Sequence, residues 1–387
     1  MVVAHYLPPK GRDLRLDLFR GIANWAIFLD HIPNNVLNLV TGRNFGFSDA
    51  ADLFIFISGY TASFVYARIM VERGVIVGST RLIKRVWTIY VAHVLLFVIY
   101  LAEIGYLAQK YGGDQFADEF NIHGFLTNPA LTLYEGLILR FKPVNMDVLP
   151  LYIVLMGLFP PVLVAMLKRP NMVLCGSIVL YLVARAFGWN LPAYPVGHWY
   201  FNPFAWQLLF VFGAWFALGG SVESTPFIGS RAFLFAGAAY LIFALVVTLA
   251  GPFPELRSLI PNSIYSLFSP NDKTNLALYR VIHFAVIAFF VVRFLPRDWK
   301  GLESPLFAPA IVCGQQSLEV FCAGIFLSFA AHFVLVEVSG ALPMQILVSV
   351  VGIGAMTGLA YYRSWSKRMD KAKPTPANPP KAAPASV

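Results

Sequence analysis

About ten stretches of roughly 20 mostly apolar residues follow one another along this 387-residue chain, each long enough to cross the hydrocarbon core of a bilayer as a helix. Backbone groups in lipid must be satisfied within the spanning segment, which a helix achieves. The stretches lie at 17–40, 50–70, 84–107, 147–167, 171–189, 203–220, 231–251, 275–295, 309–336 and 342–362. They predict an all-α integral membrane protein, a polytopic bundle of about ten transmembrane helices in one domain over residues 1–366. Only 13% of the residues are charged, against about 25% in soluble domains.

The basic residues sort by side. Lys10, Arg12 and Arg15 precede the first stretch, and Arg68, Arg73, Arg81, Lys84 and Arg85 follow the second. Lys168 and Arg169, then Arg293, Arg297 and Lys300, then Arg363, Lys367, Arg368, Lys371 and Lys373 recur at the same side, whereas the loop 108–146 opposite carries Asp114, Asp118 and Glu119. The positive-inside rule places both termini in the cytoplasm. The excess of 29 Lys and Arg over 20 Asp and Glu therefore reports topology, and no nucleic-acid partner is expected. The start, MVVAHYLPPKGRDLRLD, lacks the apolar core and cleavage site of a signal peptide. Cys175, Cys313 and Cys322 lie in apolar runs without metal-ligand spacing, so they read as packing residues and no metal site is expected.

Two segments do not span. In the outer-side loop at about 113–146, Asn128 and Pro129 make an N-cap and first-turn proline. Leu131, Tyr134, Ile138 and Phe141 then repeat at helical spacing, predicting a short amphipathic helix on the membrane surface. The end, 367–387, turns rich in Pro and Ala without apolar period and is expected to be a disordered tail.

The first stretch is unusually polar, with Asp17, Arg20, Asn24, Asp30, His31, Asn34, Asn35 and Asn38. On a helical projection from Arg20, His31 falls about 20° away, Asn24 about 40° and Asn34 about −40°, so they form one stripe. Ionisable groups at membrane depth face a bundle interior or watery cavity, and such a stripe marks a candidate site. The plainer account is a structural Asp17/Arg20 pair with a helix-to-helix hydrogen bond from His31. Pro33 should kink or end the helix just beyond His31. Arg280 with His283, and Gln315 with Glu319, each stand one turn apart in later spans and could line the cavity or pair locally. No GxSxG elbow, phosphate-binding glycine loop, HExxH helix or CxxC pair occurs, which leaves chemistry to isolated polar groups inside the membrane.

The run LRLDLFRGIANWAIFLDH holds an Arg, ten residues and a His, and the next span reads ADLFIFISGYT from Ala51. Both resemble signatures of the multispan membrane acyltransferase superfamily. The strings RNFGFSDAADLFIFISGYT, DVLPLYIVLMGLFP, NPFAWQLLFVFG, NDKTNLALYRVIHF and GQQSLEVFCAGIFLS resemble its OpgC branch, associated with O-succinylation of osmoregulated periplasmic glucans in Gram-negative bacteria. The likeness runs from about Arg12 to Tyr362. It implies a multi-pass protein of the bacterial inner membrane that moves a succinyl or similar acyl group from cytoplasmic acyl-CoA to glucan hydroxyls, with succinyl-CoA as co-substrate and no tightly bound cofactor. By position it makes His31 catalytic, with Arg20 in donor binding and Asp52, Ser58 and Gly59 on the second-span element. Asp147 falls near the superfamily's Trp-Ser-Leu-x-x-Glu string, but this chain reads Asp-Val-Leu-Pro-Leu-Tyr there.

Such chemistry needs a base for the acceptor hydroxyl, which a His can supply near neutral pH; a covalent acyl-histidine relay is the competing route. Arg81, Lys84 and Arg85, with Arg20 and Ser58, are candidates for the polyanionic donor. Trp199, Asn202, Asp272, Lys273 and Asn275 on the outer side, with Asn34, Asp147, Arg280, His283 and Glu319, are candidates for the acceptor or its cavity. Lys273, on a side otherwise poor in cations, is the expected partner of a succinyl carboxylate. A secondary transporter or a non-catalytic glucan export partner would use the same polar helices without CoA chemistry. A homo-oligomer remains compatible with every one of these readings.

Overall fold

The computed structural model describes residue 7 and residues 11–111 and 114–370, and among them the chain is helical with no β-strand. The Pro/Ala-rich segment from Lys371 lies outside the described residues. The helices in order are α1 Leu14–Asp30, α2 Ala50–Arg73, α3 Val75–Tyr111, α4 Asp114–Glu119, α5 His123–Thr127, α6 Pro129–Leu137, α7 Val148–Met166, α8 Pro170–Phe187 and α9 Pro203–Trp215. They continue with α10 Ser221–Glu223, α11 Thr225–Ile228, α12 Arg231–Leu249, α13 Pro254–Ser258, α14 Asn262–Tyr265, α15 Leu278–Phe294, α16 Ala308–Gln315, α17 Ser317–Glu337 and α18 Leu342–Met369. Among the described residues, eight segments are long and apolar enough to cross a membrane: α2, α3, α7, α8, the run Pro203–Glu223, α12, α17 and α18. The polar α1 and the Arg- and His-bearing α15 are 17 residues each.

Local chemistry sets several boundaries. Asn128 caps α6 by accepting from the Leu131 amide, with Pro129 in the first turn, as the sequence predicts. Asp49 caps α2 in a reciprocal capping box with Asp52. α1 stops at Asp30, and Asn34 takes a left-handed φ of 57°, because Pro33 lacks the amide that would continue the ladder and its ring clashes with the preceding turn. The expected single span over 17–40 is thus a helix followed by a short 3₁₀ turn at Val36–Val40. The predicted span 309–336 is likewise two helices, broken at Gln316 (φ −110°, ψ 34°). At the other extreme, α2 and α3 are separated only by Gly74, so Arg81, Lys84 and Arg85 stand on a 37-residue helix and not in a loop.

α1 lies between α2, α16 and α17, while α2 also packs on α9 and α3, α3 on α7, and α17 on α18. Without a hydrophobic driving force between helices in lipid, close packing must supply the association. Two glycine pairs provide it. A Cβ at Gly21 would sit 1.8 Å from the Ala310 carbonyl oxygen, and one at Gly314 would sit 1.8 Å from that of Asp17, so α1 and α16 touch backbone to backbone. Gly59 meets the Phe210 carbonyl at 1.9 Å and Gly213 meets that of Phe56 at 2.1 Å in the same sense, which explains Gly59 in the second-span element as a packing residue. Around them, the ring of Phe56 contacts those of Phe212, Phe216 and Phe284.

Gly59→Val should force α2 and α9 apart and destabilise the protein by about 1–3 kcal/mol or more. Thermal unfolding in detergent is expected to show a midpoint several degrees lower; an unchanged midpoint would contradict the close contact.

Candidate active site

A buried ion cluster sits at the N-terminus of α2. The Asp52 carboxylate, fully buried, accepts from the Asp49 amide at 2.8 Å and from Arg280 Nη2 on α15 at 2.5 Å. Arg280 also lies 3.3 Å from Asp49, and Asp49 pairs with Lys273 at 2.6 Å. Opposite charges at hydrogen-bonding distance offset the desolvation of each, and the acids complement the positive end of α2. Lys273 is delivered by a strap over residues 271–277. Its Lys273 and Thr274 carbonyls accept from Trp206 Nε1 at 3.0 and 3.2 Å, and the Thr274 carbonyl also accepts from the Asn202 amide at 3.1 Å. Asn202 further donates to Asn275, while Arg185 bonds Asp272 at 3.2 Å and the Asn275 carbonyl at 2.7 Å.

Above this cluster opens a cavity of 920 Å³ lined by His31, Asp30, Asp49, Asp147, Arg43, Arg140, Lys142, Lys273 and Arg280, with aromatic walls including Tyr194, Tyr200, Phe201 and Tyr265. His31 is the C-cap of α1; its amide donates to the Ile27 carbonyl at 3.0 Å and its own carbonyl accepts from Asn145 at 3.4 Å. Its Nδ1 is buried with no hydrogen-bond partner among the described residues. No carboxylate pairs with the His31 imidazole among the described residues; Asp30 is held by Thr41 at 2.7 Å, with Arg43 at 3.9 Å. Asp147 makes no ion pair among the described residues.

A second, narrower cavity of 140 Å³ lies further along α2 toward Arg73. Arg20, Ser58, Thr61, Tyr66, Arg85, Tyr152 and Ser317 line it together with Phe54 and Leu149. Arg20 is fixed by Thr61 Oγ1 at 2.8 Å and the Ile57 carbonyl at 3.2 Å. Ala51 and Val148 border the wide cavity, whereas Phe54 and Leu149 border the narrow one. Ala51 and Phe54 are one turn apart, about 4.5 Å along the helix axis. All four are buried. A thin apolar wall separates the two spaces.

The structure brings Arg20, Ser58 and Arg85 together in the narrow cavity, and His31, Asp147, Lys273 and Arg280 in the wide one. Several candidates lie elsewhere. Asp52 is sealed beneath Arg280 and lines neither cavity, so it braces the site. Arg81 and Lys84 are exposed on α3. Asn34 leaves the stripe with the left-handed turn and sits beside Asp118, Glu119 and His332, because the helical projection ends with α1. Asn202, Asp272 and Asn275 are spent on the strap, and Trp199 packs its ring under Lys142 at 3.9 Å. His283 bonds Ser48 Oγ at 2.7 Å and not Arg280. Glu319 pairs with Arg363 at 3.3 Å and Lys367 at 3.1 Å and lines neither cavity. Asp17 pairs with Arg12, not Arg20. The residues that sequence reasoning passed over are Arg43, Asp49, Arg140, Lys142 and Asn145. Arg140, Lys142 and Asn145 lie in the run RFKPVNMD, with two cations on the side otherwise poor in them, and Arg43 and Asp49 lie in the string RNFGFSDAADLFIFISGYT.

In comparison with known proteins, a family model described as OpgC protein matches residues 12–368. No curated protein and no solved structure matches the chain.

Removing one member of a buried pair leaves an uncompensated charge, so Arg280→Met should cost about 3–5 kcal/mol. The double variant Arg280→Met/Asp52→Asn should recover part of that loss in detergent unfolding, and strictly additive losses would contradict the pairing.

Proposed function

The chain belongs to the OpgC family, and from that premise we propose that it is a membrane O-acyltransferase passing a succinyl or similar acyl group from cytoplasmic acyl-CoA to a hydroxyl of a periplasmic glucan. The observation that carries the reading is the placement of Arg20 and His31, separated by ten intervening residues on α1 and at its end, in two cavities on either side of one thin wall. Counting α1 and α15 with the eight apolar spans gives ten and puts both termini in the cytoplasm by the charge rule. The narrow cavity then faces the donor and the wide one the acceptor, in a multi-pass protein of the bacterial inner membrane.

On this reading Arg20 and Arg85 meet the anionic part of the CoA donor, and the acyl thioester reaches the wall between Phe54 and Ile27. The acceptor glucan lies in the wide cavity against its aromatic walls, where flat apolar faces suit sugar rings. His31 takes the hydroxyl proton as the oxygen bonds to the thioester carbonyl carbon; the carbon–sulfur bond breaks and CoA leaves as the thiolate, which acquires a proton. In the alternative order the imidazole itself accepts the acyl group and then yields it to the glucan. The position of His31 at a helix end, with a buried and unpaired Nδ1, is compatible with either order. The Lys273 ammonium, already matched by Asp49, is a weaker partner for an acyl carboxylate than its sequence position suggests.

Purified protein supplied with succinyl-CoA and glucan should release free CoA. His31→Ala should abolish transfer, about 10²-fold or more in rate, while leaving donor affinity largely intact; Arg20→Ala should raise the donor KM. Unimpaired acylation by His31→Ala would remove His31 from the mechanism, and glucan uptake into proteoliposomes without CoA release would replace the enzyme by a transporter.

A further inference from the structure

Five cations line the wide cavity, and four of them are matched. Arg43 stands 3.9 Å from Asp30, Arg140 3.3 Å from Glu135, Lys273 2.6 Å from Asp49, and Arg280 2.5 Å from Asp52. Lys142 is the exception. Among the described residues it has no carboxylate within 4.0 Å, although it is half-buried in the cavity lining. Its ammonium stands 3.9 Å over the Trp199 ring and donates to the Leu139 carbonyl at 3.2 Å. An ammonium has three donors. With one on a carbonyl and the charge held over an aromatic face, the rest of its hydrogen-bonding capacity is left for the cavity.

The loop that carries Lys142 is braced rather than slack. Leu139 and Asn145 hold φ values of 65° and 74°, a left-handed conformation unfavourable for a residue with a Cβ that persists only where surroundings impose it. Here the Tyr194 amide donates to the Arg140 carbonyl at 2.9 Å, Tyr90 donates to the Leu137 carbonyl at 3.0 Å, and Asn145 donates to the His31 carbonyl at 3.4 Å. One short loop therefore fixes the free cation and the candidate catalytic histidine in a single wall.

We propose that Lys142 is the specificity-determining residue of the wide cavity, recognising an anionic group on one of the two substrates, a carboxylate or phosphate-type monoanion. The proposal rests on the acyl-transfer reading above. Burial lowers the Lys142 ammonium to about 8, with Asp147 acting in the opposite direction; a bound anion would relieve that desolvation. The anion has two sources, the free carboxylate at the far end of a dicarboxylic acyl group or an anionic substituent on the acceptor. A charge-assisted hydrogen bond of this kind is worth about 10- to 100-fold in selection.

The test crosses two donors with two acceptors. Succinyl-CoA is compared with butyryl-CoA, of the same carbon count without the carboxylate, on a neutral oligoglucan and on one bearing an anionic substituent. The readout is the ratio of kcat/KM for charged over neutral partner. In the wild type this ratio should be about 10 or more along one axis, and in Lys142→Met it should fall toward one. Lys142→Arg, which keeps the charge, should retain most of it and guards against misfolding of the Met variant. Loss along the donor axis assigns the acyl carboxylate, and loss along the acceptor axis assigns the glucan substituent. An unchanged ratio in Lys142→Met, or no preference in the wild type, overturns the proposal while leaving the acyltransferase intact. Absence of CoA release by the wild type with all four pairs would instead overturn the acyltransferase reading and the proposal together.

Discussion

The rest of this structure depends on the charges buried at the start of α2. Asp52 and Arg280 lie almost entirely out of water, where neither would be tolerable alone. Their pairing fixes α15 to α2, and the bond from Asp49 to Lys273 adds the strap over residues 271–277. That cluster forms the floor of the wide cavity, so the position of every polar group above it is referred to one short turn of helix. The capping box that begins α2 is therefore also the foundation of the site, and the conspicuous Asp52 contributes by holding Arg280 and not by touching a ligand.

Much of the architecture was legible in the sequence because lipid imposes a simple code. Apolar length located eight helices long enough to span, Asn128 with Pro129 located the start of α6, and Pro33 located the end of α1. What could not be read was which polar groups meet. Arg280 and His283 stand one turn apart, yet Arg280, His283 and Glu319 each find a partner on another segment of the bundle, because a helical neighbour's charge or dipole is seldom the strongest one available in a packed interior. The helical projection placed Arg20, Asn24 and His31 on one face correctly but carried Asn34 and Asn38 along with them, past the point where the helix exists. Lys142 and Asn145 belong to an irregular loop whose path is set by contacts with Tyr90, Tyr194 and His31, distant in sequence, and no local pattern encodes such contacts.

Two kinds of close approach give the bundle its rigidity. Gly21 with Gly314, and Gly59 with Gly213, bring helix backbones together where lipid offers no hydrophobic incentive. The ion cluster and the strap do the same for the irregular segments. A site assembled between helices locked in this way can hold a histidine at a helix terminus, where its backbone carbonyl accepts from Asn145 of the braced loop and its ring faces a cavity.

The thin wall between the two cavities has an electrical consequence. On the acyl-transfer reading proposed above, the two cavities open to opposite faces, and most of a membrane's potential would fall across what separates them, about one helical turn of apolar side chains around Phe54 and Leu149. A unit charge crossing 100 mV exchanges about 2.3 kcal/mol with that field. In a cell whose interior is negative, an acyl group that carries a free carboxylate outward through this wall moves down the potential. On that reading the same few ångströms of apolar side chains would let the energised membrane favour the forward direction of transfer.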